Sequence, residues 1–123
     1  MSNERLATEV MGWRLIPAVI RVPNHADDDA YYVNHKSSIR FVINHDRWQP
    51  DKDIAQAMMC HRQFIKNSRF SVRLLYYRYL QEVVTGRVAP PDAEYLIDWP
   101  DVLNFIEPQD FCAAILQTLP EKT

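Results

Sequence analysis

Glycine is scarce in this chain of 123 residues, where only Gly12 and Gly86 occur. Two glycines so far apart cannot spell a Gly-x-Gly-x-x-Gly or a Gly-x-x-x-x-Gly-Lys loop, so no phosphate cradle of those kinds is encoded. A Gly-x-Ser-x-Gly nucleophile elbow is absent for the same reason. Cysteine is equally scarce. Cys60 and Cys112 are the two present, which excludes a disulfide scaffold. They form no Cys-x-x-Cys pair, so a thiolate zinc site is not expected. No apolar run approaches the roughly 18 residues that suggest a membrane span. An excess of one charge is also missing. The 14 Lys and Arg against 16 Asp and Glu leave a net charge of −2, which excludes both a polycation that coats DNA and a polyanionic DNA mimic.

What is present describes a small α+β chain. Leu6, Ala7, Val10 and Met11 form one apolar stripe, with Ser2 or Asn3 placed to cap a first helix. Gly12 supplies a left-handed residue to end it. Trp13–Val22 is strand-like but interrupted by Pro17, so any strand there is short or on an edge. Tyr31–Val33 and Ile39–Ile43 are expected as strands joined by the polar turn 34–38. Asp51 is the expected N-cap of a middle helix, with Asp53 in its first turn. That helix carries Ile54, Ala57, Met58, His61 and Ile65 on one face and stops at Asn67–Ser68.

Residues 70–85 fit two patterns. Phe70, Val72, Leu74 and Tyr76 alternate as in a strand, whereas Val72, Leu75, Tyr76, Tyr79, Leu80 and Val83 fit a helix. The expectation is a short strand near Phe70–Leu74 leading into a helix that ends near Thr85, capped by Gly86. Tyr95–Ile97 is a candidate strand. Asp98 is placed to cap a helical turn at Trp99–Pro100, and Glu107–Pro108 to open a last helix along Phe111, Cys112, Ile115, Leu116 and Leu119.

Candidate chemistry is thin. His25 lies near Asp27, Asp28 and Asp29, and His45 precedes Asp46. Imidazole and carboxylate suit zinc or manganese, but the helical spacing of a His-Glu-x-x-His site is missing. His35 lies on the polar turn. These three histidines are therefore expected as solvated loop residues, and His61 as a hydrogen-bonded, half-buried one. No catalytic residue, metal or cofactor is assigned, and an enzyme is not expected. Both cysteines are expected as buried, inert thiols.

Charge is unevenly laid out. From Ile54 to Gln81 there is no acid, and the bases are Arg62, Lys66, Arg69, Arg73 and Arg78. From Val88 to Pro120 there is no base, and the acids are Asp92, Glu94, Asp98, Asp101, Glu107 and Asp110. Phe64, Phe70, Tyr76, Tyr77 and Tyr79 interleave with the bases. Arginine among aromatics can hold phosphates and stack on bases. Alternatively the two blocks neutralise each other, or face charged partners separately. The candidate binding residues are Arg62, Lys66, Arg69, Arg73, Tyr77 and Arg78.

Three segments taken together resemble a known family. They are Leu6-Ala7-Thr8-Glu9-Val10-Met11-Gly12-Trp13, then Trp48-Gln49-Pro50-Asp51 leading into Ile54-Ala55-Gln56-Ala57, then Glu107-Pro108 followed by Phe111-Cys112-Ala113-Ala114-Ile115-Leu116. Their order is similar to that in the phage α-β-α sandwich domain family of small phage and prophage proteins. The chain departs from that pattern between Phe70 and Ile106, where it is longer, which leaves room for an insertion within 76–106 of one domain spanning 1–123. The resemblance implies an α+β fold, a single small α/β sandwich whose short, mostly antiparallel sheet is packed by three or four helices. It also implies a mobile-element origin, and it brings no catalytic residues with it. The corresponding functional expectation is a phage accessory binding protein in the host cytoplasm, without a membrane segment. The role expected for it is antagonism of host antiviral defence, by occluding a host protein or sequestering a small charged ligand. The alternative partner is nucleic acid, bound through the basic-aromatic segment 62–79.

Overall fold

The structure is a computed structural model that describes residues 2–16, 30–34 and 40–120. The chain is α+β and divides into two compact units, residues 1–49 and 50–123. The first holds a three-stranded antiparallel sheet, and the second is helical.

In the first unit, helix α1 (Ser2–Arg5) begins at Ser2, so Ser2 and Asn3 lie inside it rather than capping it. It runs on as a wider π-helical turn over Leu6–Val10. Met11 N–H donates to the Leu6 carbonyl at 3.0 Å, and Trp13 N–H donates to that of Ala7 at 2.9 Å. Gly12 makes this exit at φ 73°, a left-handed backbone that a residue with a Cβ adopts only under strain. The chain then enters β1 (Arg14–Ile16), followed in the sheet by β2 (Tyr31–Asn34) and β3 (Arg40–Asn44) in the order β1-β2-β3. Leu15 pairs with Tyr32, which pairs with Ile43. The register then slips, so that Val33 opposes Phe41 and Val42 is bulged out. Leu6, Ala7, Val10, Trp13, Tyr32, Val33 and Trp48 are buried. Trp13 meets Trp48 edge-on at 4.8 Å, and the Trp48 indole donates to the Asn3 carbonyl at 2.8 Å. Large rings with a polar edge thus supply much of what so short a segment can bury.

The second unit contains α2 (Ile54–Asn67), α3 (Phe70–Val88), α4 (Trp99–Phe105) and α5 (Pro108–Thr118). The cap of α2 is Asp53, not Asp51, because its Oδ1 accepts from Gln56 N–H at 3.1 Å. The helix stops at Asn67, as expected, and the Ser68 hydroxyl bonds back to the Phe64 carbonyl at 2.6 Å. The expected strand near Phe70–Leu74 does not form, and α3 is continuous through it. The alternation arises because the first turns of this helix also carry apolar residues at exposed positions. Tyr76, Leu80 and Val84 are buried, whereas Phe70, Leu74 and Leu75 are exposed. Gly86 lies inside α3 with open space around it, not at its end. Tyr95–Ile97 is irregular rather than a strand. It is tied down by polar bonds instead, with Gln81 donating to the Ile97 carbonyl at 2.8 Å and Ile97 N–H donating to the Thr85 hydroxyl at 3.0 Å. Asp98 precedes α4, with Pro100 in its first turn, and Glu107 and Pro108 open α5 as the sequence predicts.

Helix α5 packs on both α2 and α3. Phe111, Cys112, Ala114 and Ile115 of α5 are buried, as are Ala57, Cys60 and Phe64 of α2. Among the described residues, no helix is long and apolar enough to cross a membrane.

Candidate functional site, an apolar groove in the helical unit

Four elements of the second unit enclose a half-open groove of about 410 Å³. Helix α2 contributes Ile54, Met58 and His61, which sit at i, i+4 and i+7 and so share one stripe. Helix α3 contributes Tyr77 and Leu80, α4 contributes Trp99 and Leu103, and Ile106 and Phe111 close the far side. This volume lies within the range of ligand-binding clefts. Nearly all of its lining is carbon.

One polar pair marks its wall. His61 Nδ1 lies 2.7 Å from the Tyr76 hydroxyl, and the His61 ring meets Phe111 edge-on at 5.2 Å. Burial lowers the His61 pKa from its ordinary value, and the charge of Arg62 lowers it further. Burial raises the Tyr76 phenol well above its usual range. Both groups are therefore neutral at pH 7, and the pair offers hydrogen bonding rather than charge. The thiols of Cys60 and Cys112 are each pushed up to about 12, chiefly by burial, so neither supplies a thiolate nucleophile at neutral pH.

Some of the apolar lining stands open to solvent. Leu103 is 69% exposed and Ile54 52% exposed. Trp99 meets the Tyr77 ring edge-on at 6.0 Å, which holds the start of α4 against α3. The other end of α4 is held by Arg87. Its Nε and Nη2 reach the two carboxylate oxygens of Asp110 at 3.1 and 2.6 Å, and Nη2 also donates to the Phe105 carbonyl. Asp110 is buried and accepts from Glu107 N–H at 2.9 Å. Glu107 lies 3.6 Å from Arg87. The wall formed by α4 is thus fastened by side chains at both ends, although Val102 is its one fully buried residue.

The residues singled out from sequence fall in different places. Tyr77 lines the groove. Arg62 and Lys66 are exposed on α2, and Arg69 is exposed just before α3. Among the described residues no ion pair joins these three to an acid. Arg73 is half-buried and donates to the Ser68 carbonyl at 3.1 Å, so it braces the α2–α3 turn. Arg78 pairs with Glu82 at 3.0 Å along α3. Of the interleaved aromatics, Phe64 and Tyr76 are buried and only Phe70 is largely exposed. Arg87 was not among the sequence candidates. The one available sign was its position as the last base before the base-free stretch 88–120.

His25, His35 and Asp27–Asp29 lie outside the described residues. Among those that are described, no three His, Cys, Asp or Glu side chains converge as a metal site would require. No protein-family model matches the chain, and comparison with curated proteins and with solved structures likewise returns no match.

Proposed function

We propose that this chain is a phage or prophage accessory protein that works by binding a host protein, and that the groove of residues 50–123 is its docking surface. Antagonism of a host antiviral defence component is the role to test first. The motif resemblance supports the mobile-element origin. The observation that carries the docking reading is an apolar lining that reaches the surface, with Leu103, Ile54 and Trp99 exposed to solvent at the cleft. A contiguous exposed patch of this kind on a small chain marks an interaction site more often than chance exposure.

The same chemistry speaks against sequestration of a small charged ligand in the groove. A charge placed there would lose its water and gain only the neutral His61–Tyr76 pair. The nucleic-acid reading keeps Arg62, Lys66 and Arg69 but loses most of its stacking platform, because Phe64 and Tyr76 are buried and Tyr77 is committed to the groove.

The test is a photo-crosslinking amino acid placed at Leu103 in one variant and at Ala113, an exposed α5 position, in another. Each variant is irradiated in host lysate. A host protein crosslinked from position 103 and not from 113 is the expected result. Equal labelling from both positions, or none from 103, would sink the reading.

A further inference from the structure

Independently of the docking reading, we infer that the groove is a binding site for a neutral, largely carbon small molecule bearing one hydrogen-bond acceptor, of the ketone or ester kind, which accepts from His61 Nε2–H. Tyr76 sets that donor. The Tyr76 side chain is fully buried, and among the described residues its hydroxyl has one hydrogen-bond partner, His61 Nδ1 at 2.7 Å. Were Nδ1–H the donor in this pair, the phenolic hydrogen would be buried with no acceptor, a costly loss. The hydroxyl therefore donates, and Nδ1 accepts with its lone pair. A neutral imidazole with a bare Nδ1 holds its one proton on Nε2. This tautomer is assigned from the hydrogen-bond network. Nε2 makes no hydrogen bond among the described residues, and no buried side-chain nitrogen or oxygen among them lacks a partner. Nε2 is therefore open to solvent, on a ring that lines the groove.

That donor and its surroundings select the ligand. A cleft of about 410 Å³ with mostly carbon walls and a fixed polar group on one of them is the pattern of a small-molecule site. The rings of Tyr77, Trp99 and Phe111 offer flat apolar surface, and Met58 adapts to the shape of what lies against it. A pure hydrocarbon that covers His61 strips water from Nε2–H and leaves the donor unpaired. A charged molecule loses its own water and finds no charge in the lining. A neutral acceptor avoids both costs, because it replaces the water on Nε2–H and carries little hydration of its own. A site with a fixed donor rejects the isostere that lacks the acceptor. The ligand would occupy the cleft proposed for docking, so the small molecule and the host protein exclude one another.

Two measurements on the full ¹⁵N-labelled chain at pH 7.5 test the inference. Long-range ¹H–¹⁵N correlation of the His61 ring should show the proton on Nε2 and a bare Nδ1. A proton on Nδ1 would overturn the inference without any variant. The second measurement is titration with acetophenone, with ethylbenzene, its isostere without the acceptor, and with benzoate, its charged counterpart. Acetophenone should move the Trp99 indole N–H signal, and benzoate should bind more weakly than acetophenone. In His61→Leu the affinity of acetophenone relative to ethylbenzene should fall by about fivefold, the worth of one neutral hydrogen bond. Taking the ratio cancels the greater hydrophobicity of ethylbenzene. Circular dichroism confirms that the variant is folded. An unchanged ratio in the folded variant, tighter binding of benzoate, or a Trp99 signal that ignores acetophenone would each overturn the inference. If His61→Leu does not fold, the ring tautomer and the comparison with benzoate decide on the wild-type chain. Crosslinking from position 103 decides the docking reading separately, so either can fail while the other stands.

Discussion

Arg87 reaches both oxygens of Asp110 and the Phe105 carbonyl, whereas Arg62, Lys66 and Arg69 reach no acid among the described residues. The two regions belong to the same helical unit and carry the same kind of charge, yet they do different work. Around Arg87 the charge is consumed internally. A guanidinium fork matches a carboxylate in two places, the carboxylate is buried, and the junction of α4 with α5 is fixed. Along α2 the charge is left to solvent. The contrast shows why the balanced total says little about function. A base acts structurally or is available to bind according to what the fold sets opposite it.

The sharpest way to break this contrast is Arg87→Met. It leaves Asp110 buried with the Glu107 N–H as its remaining described donor. Urea unfolding should show a loss of about 3 kcal/mol, at the lower end of what removing one partner of a buried pair costs, because the guanidinium itself is partly exposed. A loss no larger than that of an ordinary surface substitution would remove the distinction between the two regions. Tyr76→Phe comes next. It strips the hydroxyl from His61 while keeping the ring, and it should cost about 1–2 kcal/mol as a half-buried nitrogen loses its partner. The same unfolding measurement reads it.

The pH dependence follows from His61. Burial and then Arg62 depress its pKa in the folded chain, so the unfolded chain takes up the proton first as pH falls. The stability contributed by neutral His61 is full above about 6.5, the ordinary histidine value, and is lost below it as pH falls towards the folded pKa. Melting temperatures at pH 7.5 and pH 5.5 should therefore differ more for the wild-type chain than for His61→Leu. Equal differences would show that His61 titrates freely. The smallest effect is expected at Arg78→Ala, whose exposed pair with Glu82 should contribute less than about 0.5 kcal/mol.

Much of this was legible in the sequence, for reasons that differ by element. The opening of α5 was readable because Glu107-Pro108 is local chemistry, and the Asp110 carboxylate completes it from within three residues. Gly12 was readable because a helix exit at positive φ has few alternatives. The start of α3 was not, because period-two and helical patterns coincide when apolar residues also face solvent, as Phe70 and Leu74 do. The cap of α2 was misplaced by two residues because Asp51 and Asp53 are chemically equivalent, and only the geometry selects the one that meets Gln56. Among the candidate binding residues, Tyr77 alone lies in the groove lining. The groove itself depends on Trp99 and Leu103, which sequence pattern alone marks as ordinary members of a short helix. Arg87 is not legible as a structural residue from its neighbours in sequence, because its role depends on Asp110, 23 residues away.

The account turns on whether the groove receives a partner protein, and the three tryptophans report on that directly. Trp99 lies in the groove, whereas Trp13 and Trp48 belong to the aromatic core of the first unit. Titration of the host protein crosslinked from position 103 into ¹⁵N-labelled protein, followed through the three indole N–H signals, should shift the Trp99 signal and leave the other two in place. A Trp99 signal that stays fixed while the partner binds, or one that moves no more than those of Trp13 and Trp48, would contradict the account.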